Sequence, residues 1–175
     1  VKENPESVLE LTIRDLSRGG AGVAREESGR AIFVPFTAPG DRVRAKIVEE
    51  DRRYAQARLL EILEPSTDRV NPPCAVFGRC GGCQWQHLPY AKQWKTKVEG
   101  VARSLERAGV TLKVPFEELP AEKIWGYRNR IQLRGSGEIL GYYAPSSHDL
   151  IPIERCEIAD FRINQAIPEI RAQGA

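Results

Sequence analysis

The sequence predicts a mostly β fold with some α structure: a small five-stranded barrel, then a partial α+β domain. Three observations predict it. Short alternating apolar and polar runs, separated by glycine and proline turns, fill residues 1–66. A stiff stretch with three prolines, residues 64–73, interrupts that pattern. Beyond it comes one long run at helical spacing, followed by further short alternating runs. The domains expected are residues 1–66 for the barrel, 67–87 for a linker and cysteine loop, and 88–175 for a partial central α+β domain.

At 175 residues, 41% hydrophobic and 29% charged, the chain has the composition of an ordinary soluble protein with room for a sizeable core. No apolar run approaches the ~18 residues needed to cross a bilayer. The opening Val1-Lys2-Glu3-Asn4-Pro5-Glu6 carries no hydrophobic signal region. A cytoplasmic monomer with no membrane partner is therefore expected. The net charge of +2 permits a basic patch without demonstrating one. No methionine is present, even at position 1, which points to a trimmed segment or a lost start residue.

Within the barrel, residues 8–14 alternate as a half-buried strand does, with Leu9, Leu11 and Ile13 on one face. Residues 17–22 form a turn. Its Gly19-Gly20-Ala21-Gly22 loosely resembles a nucleotide-binding glycine loop, but that fingerprint must open a helix, and a strand pattern follows here. Residues 23–25 and 31–36 read as a hairpin. Pro39-Gly40-Asp41 turns the chain into residues 42–48, again strictly alternating, and residues 52–63 make a fifth strand. Closed barrels of this size remove exposed edges, and OB-like versions bind nucleic acid. Arg42, Arg44 and Lys46 share one strand face. The ordinary reading is a solvated face; the functional one is a surface that contacts phosphates.

The chain carries four cysteines. Three fall in Cys74-Ala75-Val76-Phe77-Gly78-Arg79-Cys80-Gly81-Gly82-Cys83-Gln84-Trp85-Gln86-His87, spaced C-x5-C-x2-C, and the fourth is Cys156. Gly78, Gly81 and Gly82 are expected to let the loop wrap through positive φ. Reducing compartments favour metal or catalytic roles over disulfides. The first reading is a metal or iron–sulfur site held by Cys74, Cys80, Cys83 and Cys156. Spacing alone leaves structural zinc, which His87 could join, level with a four-thiolate cluster.

The residues Cys74, Cys80-Gly81-Gly82-Cys83, Gln86-His87-Leu88, Tyr90, Gln93 and Lys97 carry a family resemblance. So do Gly20-Ala21-Gly22-Val23-Ala24-Arg25 and Phe33-Val34-Pro35 in the barrel. The pattern resembles the RNA 5-methyluridine methyltransferases, over nearly all of residues 8–160. Cluster-bearing members of that family place a TRAM barrel before a four-iron four-sulfur cluster. The resemblance implies such a cluster on Cys74, Cys80, Cys83 and Cys156, with Trp85, Gln86 and His87 packing around it. It also implies RNA, a structured rRNA or tRNA, as partner.

Residues 88–108 have a helical pattern, with Ala91, Trp94, Val98, Val101, Ala102, Leu105 and Ala108 on one stripe. Pro89 suits the first turn and Gly109 the stop. Lys92, Lys95, Lys97, Arg103 and Arg107 make the other side basic, usually no more than a solvated face supported by pairs such as Glu99 with Arg103. A short strand is expected near residues 113–116. In Tyr127-Arg128-Asn129-Arg130-Ile131-Gln132-Leu133-Arg134, a strand would put Arg128, Arg130 and Arg134 on one face, the best candidate in the chain for an RNA-contacting strand. Residues 138–143 and 150–153 read as paired strands around a turn holding His148, the second delivering Cys156. A helix is expected over residues 159–170, interrupted by Pro168.

The resembled family moves a methyl group from S-adenosylmethionine to C5 of uridine. That chemistry needs a thiolate to add at C6 and a base to remove the C5 proton. With all four cysteines assigned to the cluster, no nucleophile remains, and no cofactor loop is visible. The expectation is an RNA-positioning segment whose S-adenosylmethionine site lies in a C-terminal domain absent from this chain. The alternative is a stand-alone, non-catalytic RNA-binding module with a four-cysteine zinc or iron–sulfur site.

Overall fold

The computed structural model describes residues 8–137 and 139–174. Glu138, expected to open a strand, and residues 1–7 and 175 lie outside the described residues. The chain falls into two compact units. One joins residues 8–71 with His87–Phe116, and the other joins Pro72–Gln86 with residues 117–174.

The first unit is built on a curled six-stranded sheet. Its strands are β1 (Val8–Thr12), β2 (Asp15–Leu16), β3 (Gly22–Arg25), β4 (Ala31–Val34), β5 (Arg42–Glu50) and β6 (Tyr54–Glu64), in spatial order β1-β5-β6-β4-β3-β2. All pairs are antiparallel except β4 with β6. Only Ile13 and Arg14 separate β1 from β2, so one run of chain pairs with β5 at its start and with β3 at its end. The expected first strand is therefore two segments. Its two middle residues bond elsewhere: Ile13 N–H donates to Asp41 O at 2.9 Å and Arg14 N–H to Val23 O at 2.9 Å. Alternation fills the interior with Leu11, Ile13, Ala24, Ile32, Val34, Val43, Ala45, Ile47, Ala55 and Ala57. Gly22 is obligatory, since a Cβ there would sit 2.0 Å from Thr37 Oγ1.

Residues 88–116 were expected with the second domain and His87 with the cysteine loop, but all of them group with this sheet. Polar bonds hold them there. His87 Nε2–H donates to Thr37 O at 3.1 Å, Val70 N–H to His87 O at 3.0 Å, and Lys92 Nζ meets Asp68 Oδ2 at 2.8 Å. Helix α1 (Tyr90–Arg107) follows. It ends in a Schellman turn: Val110 N–H bonds Leu105 O, Gly109 N–H bonds Glu106 O, and Gly109 has φ 74°. Its buried face differs from the apolar stripe expected. Thr96 and Gly100 are the buried residues, while Ala91, Val101 and Ala108 are exposed. A Cβ on Gly100 would lie 3.5 Å from Arg18 Cγ, an ordinary contact distance, so this face of the helix packs beside the Arg18 side chain.

The second unit holds the cysteine loop and a three-stranded antiparallel sheet of β7 (Arg134–Ser136), β8 (Ile139–Tyr143) and β9 (Leu150–Pro152). Helix α2 (Phe161–Ala172) closes it, with Asp160 as cap accepting from Arg162 N–H. Pro168 lies inside the helix without ending it. The core is Leu140, Ile153 and Ile167, with Val76, Ile131, Leu133, Tyr142 and Cys156 packed against it. No regular strand forms at residues 113–116, and the Tyr127–Arg134 strand is not regular either. Its inward alternation survives in Ile131 and Leu133. Its last residue, Arg134, opens β7, and Arg128 makes an isolated parallel bridge, with Arg128 N–H to Ile158 O at 2.8 Å and Asp160 N–H to Arg128 O at 2.8 Å.

Candidate functional site

The cysteine loop is a pair of tight turns. Phe77 N–H bonds Cys74 O, and both Arg79 N–H and Cys80 N–H bond Val76 O. Gly78 takes φ 83°, which only glycine adopts without strain. Gly81 and Gly82 do not use positive φ, contrary to expectation. Gly81 is small for another reason: a Cβ would meet Tyr143 O at 3.0 Å, where Gly81 N–H now donates at 2.9 Å. That bond ties the loop to the end of β8.

Cys156, four residues after the end of β9, reaches the same place. Asn164, one turn into α2, clamps it. Its Oδ1 accepts from Cys156 N–H at 2.8 Å, and its Nδ2 donates to Cys156 O at 3.1 Å and Ala159 O at 3.3 Å. Tyr142 directs its hydroxyl at Cys156 Sγ, 3.9 Å away. Sequence reasoning missed Asn164. An asparagine just inside a helix, eight residues after a lone cysteine, was the available signal.

Cys74, Cys80, Cys83 and Cys156 all line one partly open cavity. Val76, Phe77, Ile153 and Ile158 supply apolar wall, and Arg128, Arg155 and Gln86 supply polar edge. All four cysteines are half-buried, and none is disulfide-bonded. Burial pushes the Cys80 thiol up, against the Gly82 N–H that bonds its sulfur at 3.3 Å. Burial likewise raises Cys83, opposed by its bond to Gln86 and by the Arg128 guanidinium. Burial first, then Cys156, raises the Tyr142 hydroxyl. Among the described residues, no three of His, Cys, Asp or Glu are gathered as a single ion requires. His87 is buried against Thr37 in the other unit and does not line the cavity.

The arginine candidates separate into three groups. Arg42 pairs with Glu10 at 3.1 Å and Glu64 at 2.9 Å, and Arg44 with Glu10 at 3.2 Å and Glu61 at 2.7 Å. Carboxylates on neighbouring strands thus already answer Arg42 and Arg44; Lys46 stands in register with Val8 and Arg58. Arg128 leaves the expected shared face and lines the cysteine cavity, because its backbone is fixed to residues 158 and 160. Arg130 and Arg134 are exposed and form no ion pair among the described residues. Arg134 lies over the Tyr143 ring, 5.9 Å from its centroid.

Residues 2–60 match the TRAM domain family model. The whole chain is similar to proteins named RNA methyltransferases. It is 43% identical over 173 residues to an uncharacterised RNA methyltransferase of Synechocystis, covering 94% of this chain and 37% of the relative. A like-named protein of Aquifex aeolicus is 39% identical over 172 residues, covering 98% of this chain and 40% of the relative. Among solved structures, the Pyrococcus abyssi tRNA (uracil-54, C5)-methyltransferase in complex with S-adenosyl-L-homocysteine matches with a TM-score of 0.69 and 29% identity, over 93% of this chain and 36% of that one. The chain spans about two fifths of the length of the curated relatives it matches. The similarity runs along nearly all of this chain, and it does not support the expectation of an absent C-terminal domain.

Proposed function

We propose that these residues form the RNA-holding, iron–sulfur-bearing part of an S-adenosylmethionine-dependent RNA uridine-C5 methyltransferase. One observation carries the reading: every thiol in the chain, from two stretches more than seventy positions apart, opens onto one cavity. The donor set fits the group. A cubane cluster takes four thiolates, each on a different iron, and so asks for sulfurs spread around a space rather than drawn onto a point. Apolar walls limit access of water, and Arg128 offsets part of the anionic charge that four thiolates bring, whereas Arg155 is already paired with Glu157 at 2.8 Å on the same wall. Cys74, Cys80, Cys83 and Cys156 would hold the cluster, which supplies a cross-link between loop and sheet and, where its surroundings permit, an electron.

The chain's own residues do the rest. Asn164 fixes the Cys156 backbone, Gly81 seats the loop on β8, and Gln86 supports Cys83. Methyl transfer to C5 of uracil needs a thiolate at C6 and a base at C5. With its thiols committed to the cavity, this segment binds and orients RNA. The match of residues 2–60 to the TRAM domain and the similarity to proteins named RNA methyltransferases support RNA as partner. The curled sheet then reads as an OB-like barrel of five strands, β1 and β2 counting as one.

Two measurements test the reading. Prepared without oxygen, the chain is expected to be brown and to carry about four irons with acid-labile sulfide. A colourless protein with stoichiometric zinc refutes the cluster. Binding of tRNA or rRNA fragments is expected to weaken steeply with salt. No binding at low salt refutes the RNA role.

A further inference from the structure

Next to the cavity, but outside it, β8 ends in an exposed group of flat side chains. Tyr143 keeps 39% of its surface exposed although it closes a strand. His148 meets its ring at 68°, with centroids 5.2 Å apart. The Arg134 guanidinium stands 5.9 Å from the ring centre on the other strand of the hairpin. His148 meets the ring edge-on and the Arg134 guanidinium stands beyond stacking distance, so ring surface is left for a third flat group. The loop that carries His148 is fixed by its own bonds: Ala144 N–H to Asp149 O at 2.8 Å and Asp149 N–H to Ser147 Oγ at 2.9 Å. Ser146 accepts φ 54°, a conformation rarely taken by a residue with a side chain. Tyr143 O is anchored by Gly81 N–H. The platform is thus preorganised, and an exposed aromatic held this firmly is not there to fill a core.

We infer that Tyr143, His148 and Arg134 form a stacking site for one unpaired base of the RNA. The inference rests on the RNA reading above and goes beyond it, because it assigns single-stranded nucleotides to this hairpin. Unstacked bases are recognised on aromatic rings and guanidinium planes, and only outside a duplex are their faces free. Arg134 and Arg130 are exposed cations with no carboxylate partner among the described residues, so they suit the phosphates flanking such a base. A protein partner would be expected to bury a broader apolar surface than one ring with two cations beside it.

The test compares binding of the whole chain to a twelve-nucleotide oligouridylate and to a fully paired RNA duplex of equal length. Tyr143→Leu is expected to weaken the single strand roughly tenfold and leave the duplex within about twofold, while Tyr143→Phe keeps both. An oligonucleotide carrying 5-iodouracil is expected to cross-link at Tyr143 or His148 on irradiation. Unchanged single-strand affinity in Tyr143→Leu, or equal loss on both RNAs, overturns the platform while leaving the RNA reading intact. Failure of the unaltered chain to bind either RNA overturns the RNA reading itself. Circular dichroism of each variant separates loss of the ring from loss of fold.

Discussion

Asp41→Ala removes a carboxylate that joins two segments of the first unit. The carboxylate is fully buried. Oδ2 accepts from Ala38 N–H at 2.6 Å, and Oδ1 accepts from Ser66 N–H at 2.8 Å and Arg69 Nε at 3.1 Å. Arg69 also donates to Phe36 O at 2.8 Å, so this one group staples the linker after β6 to the turn before β5. Breaking a buried ion pair costs about 3–5 kcal/mol. Each backbone N–H left without an acceptor costs about 1–3 kcal/mol. These costs overlap, because Arg69 keeps its bond to Phe36 and remains 17% exposed. A net loss of about 3–4 kcal/mol is expected. Urea unfolding followed by circular dichroism measures it, as a lower midpoint at unchanged slope. Arg42→Ala is the control: its pairs with Glu10 and Glu64 are surface contacts worth under about 1 kcal/mol. Asp41→Ala together with Arg69→Leu should recover part of the loss, since no guanidinium is then left unpaired. If Asp41→Ala costs no more than Arg42→Ala, burial is not what gives this pair its weight.

Cys156→Ser should lower iron content and loosen the second unit while leaving the curled sheet folded; unchanged iron would remove Cys156 from the ligand set. Asn164→Ala should cost about 1–2 kcal/mol and speed iron loss to a chelator, because it frees the Cys156 backbone without touching a thiol; iron release at the unaltered rate would make Asn164 a mere helix residue. His87 gives a pH dependence. Burial lowers its pKa, Arg69 adding to the effect and the Thr37 carbonyl and Asp41 opposing it. The unfolded chain therefore takes up the proton first as pH falls, so stability is held above about 6.5 and declines below it. Urea midpoints from pH 8 to pH 5 should show that decline and His87→Gln should flatten it; parallel curves would contradict the assignment.

The strands of the first unit were legible because each buries one face, and alternation records that directly. The four thiols were legible as a set because cysteine is scarce and three of them crowd one loop. Other features had no such signature. The pattern of α1 points to its larger apolar residues, whereas the residues it buries are Thr96 and Gly100, the latter beside Arg18. Asp41 reads as a turn residue, and its burial depends on Ser66 and Arg69, which lie more than twenty positions downstream. Arg128, Arg130 and Arg134 alternate as a strand would. The bonds of residue 128 to residues 158 and 160 turn that side chain to the cavity. Periodicity describes an element against an average partner, and each difference arose where the actual partner was particular.

The run from Val8 to Leu16 touches both ends of the sheet order, and this fixes a sequence of events in time. The first residues of the sheet to leave a ribosome wait for partners encoded much later, as Val8 does for Lys46. Synthesis at about 5–20 residues per second makes that wait roughly 2–8 s. During it Val8–Thr12 is an unpaired strand available to any passing edge. The protein's vulnerable moment thus comes early in its manufacture, and a chaperone acting on nascent chains would protect it most if it engaged before β5 emerged.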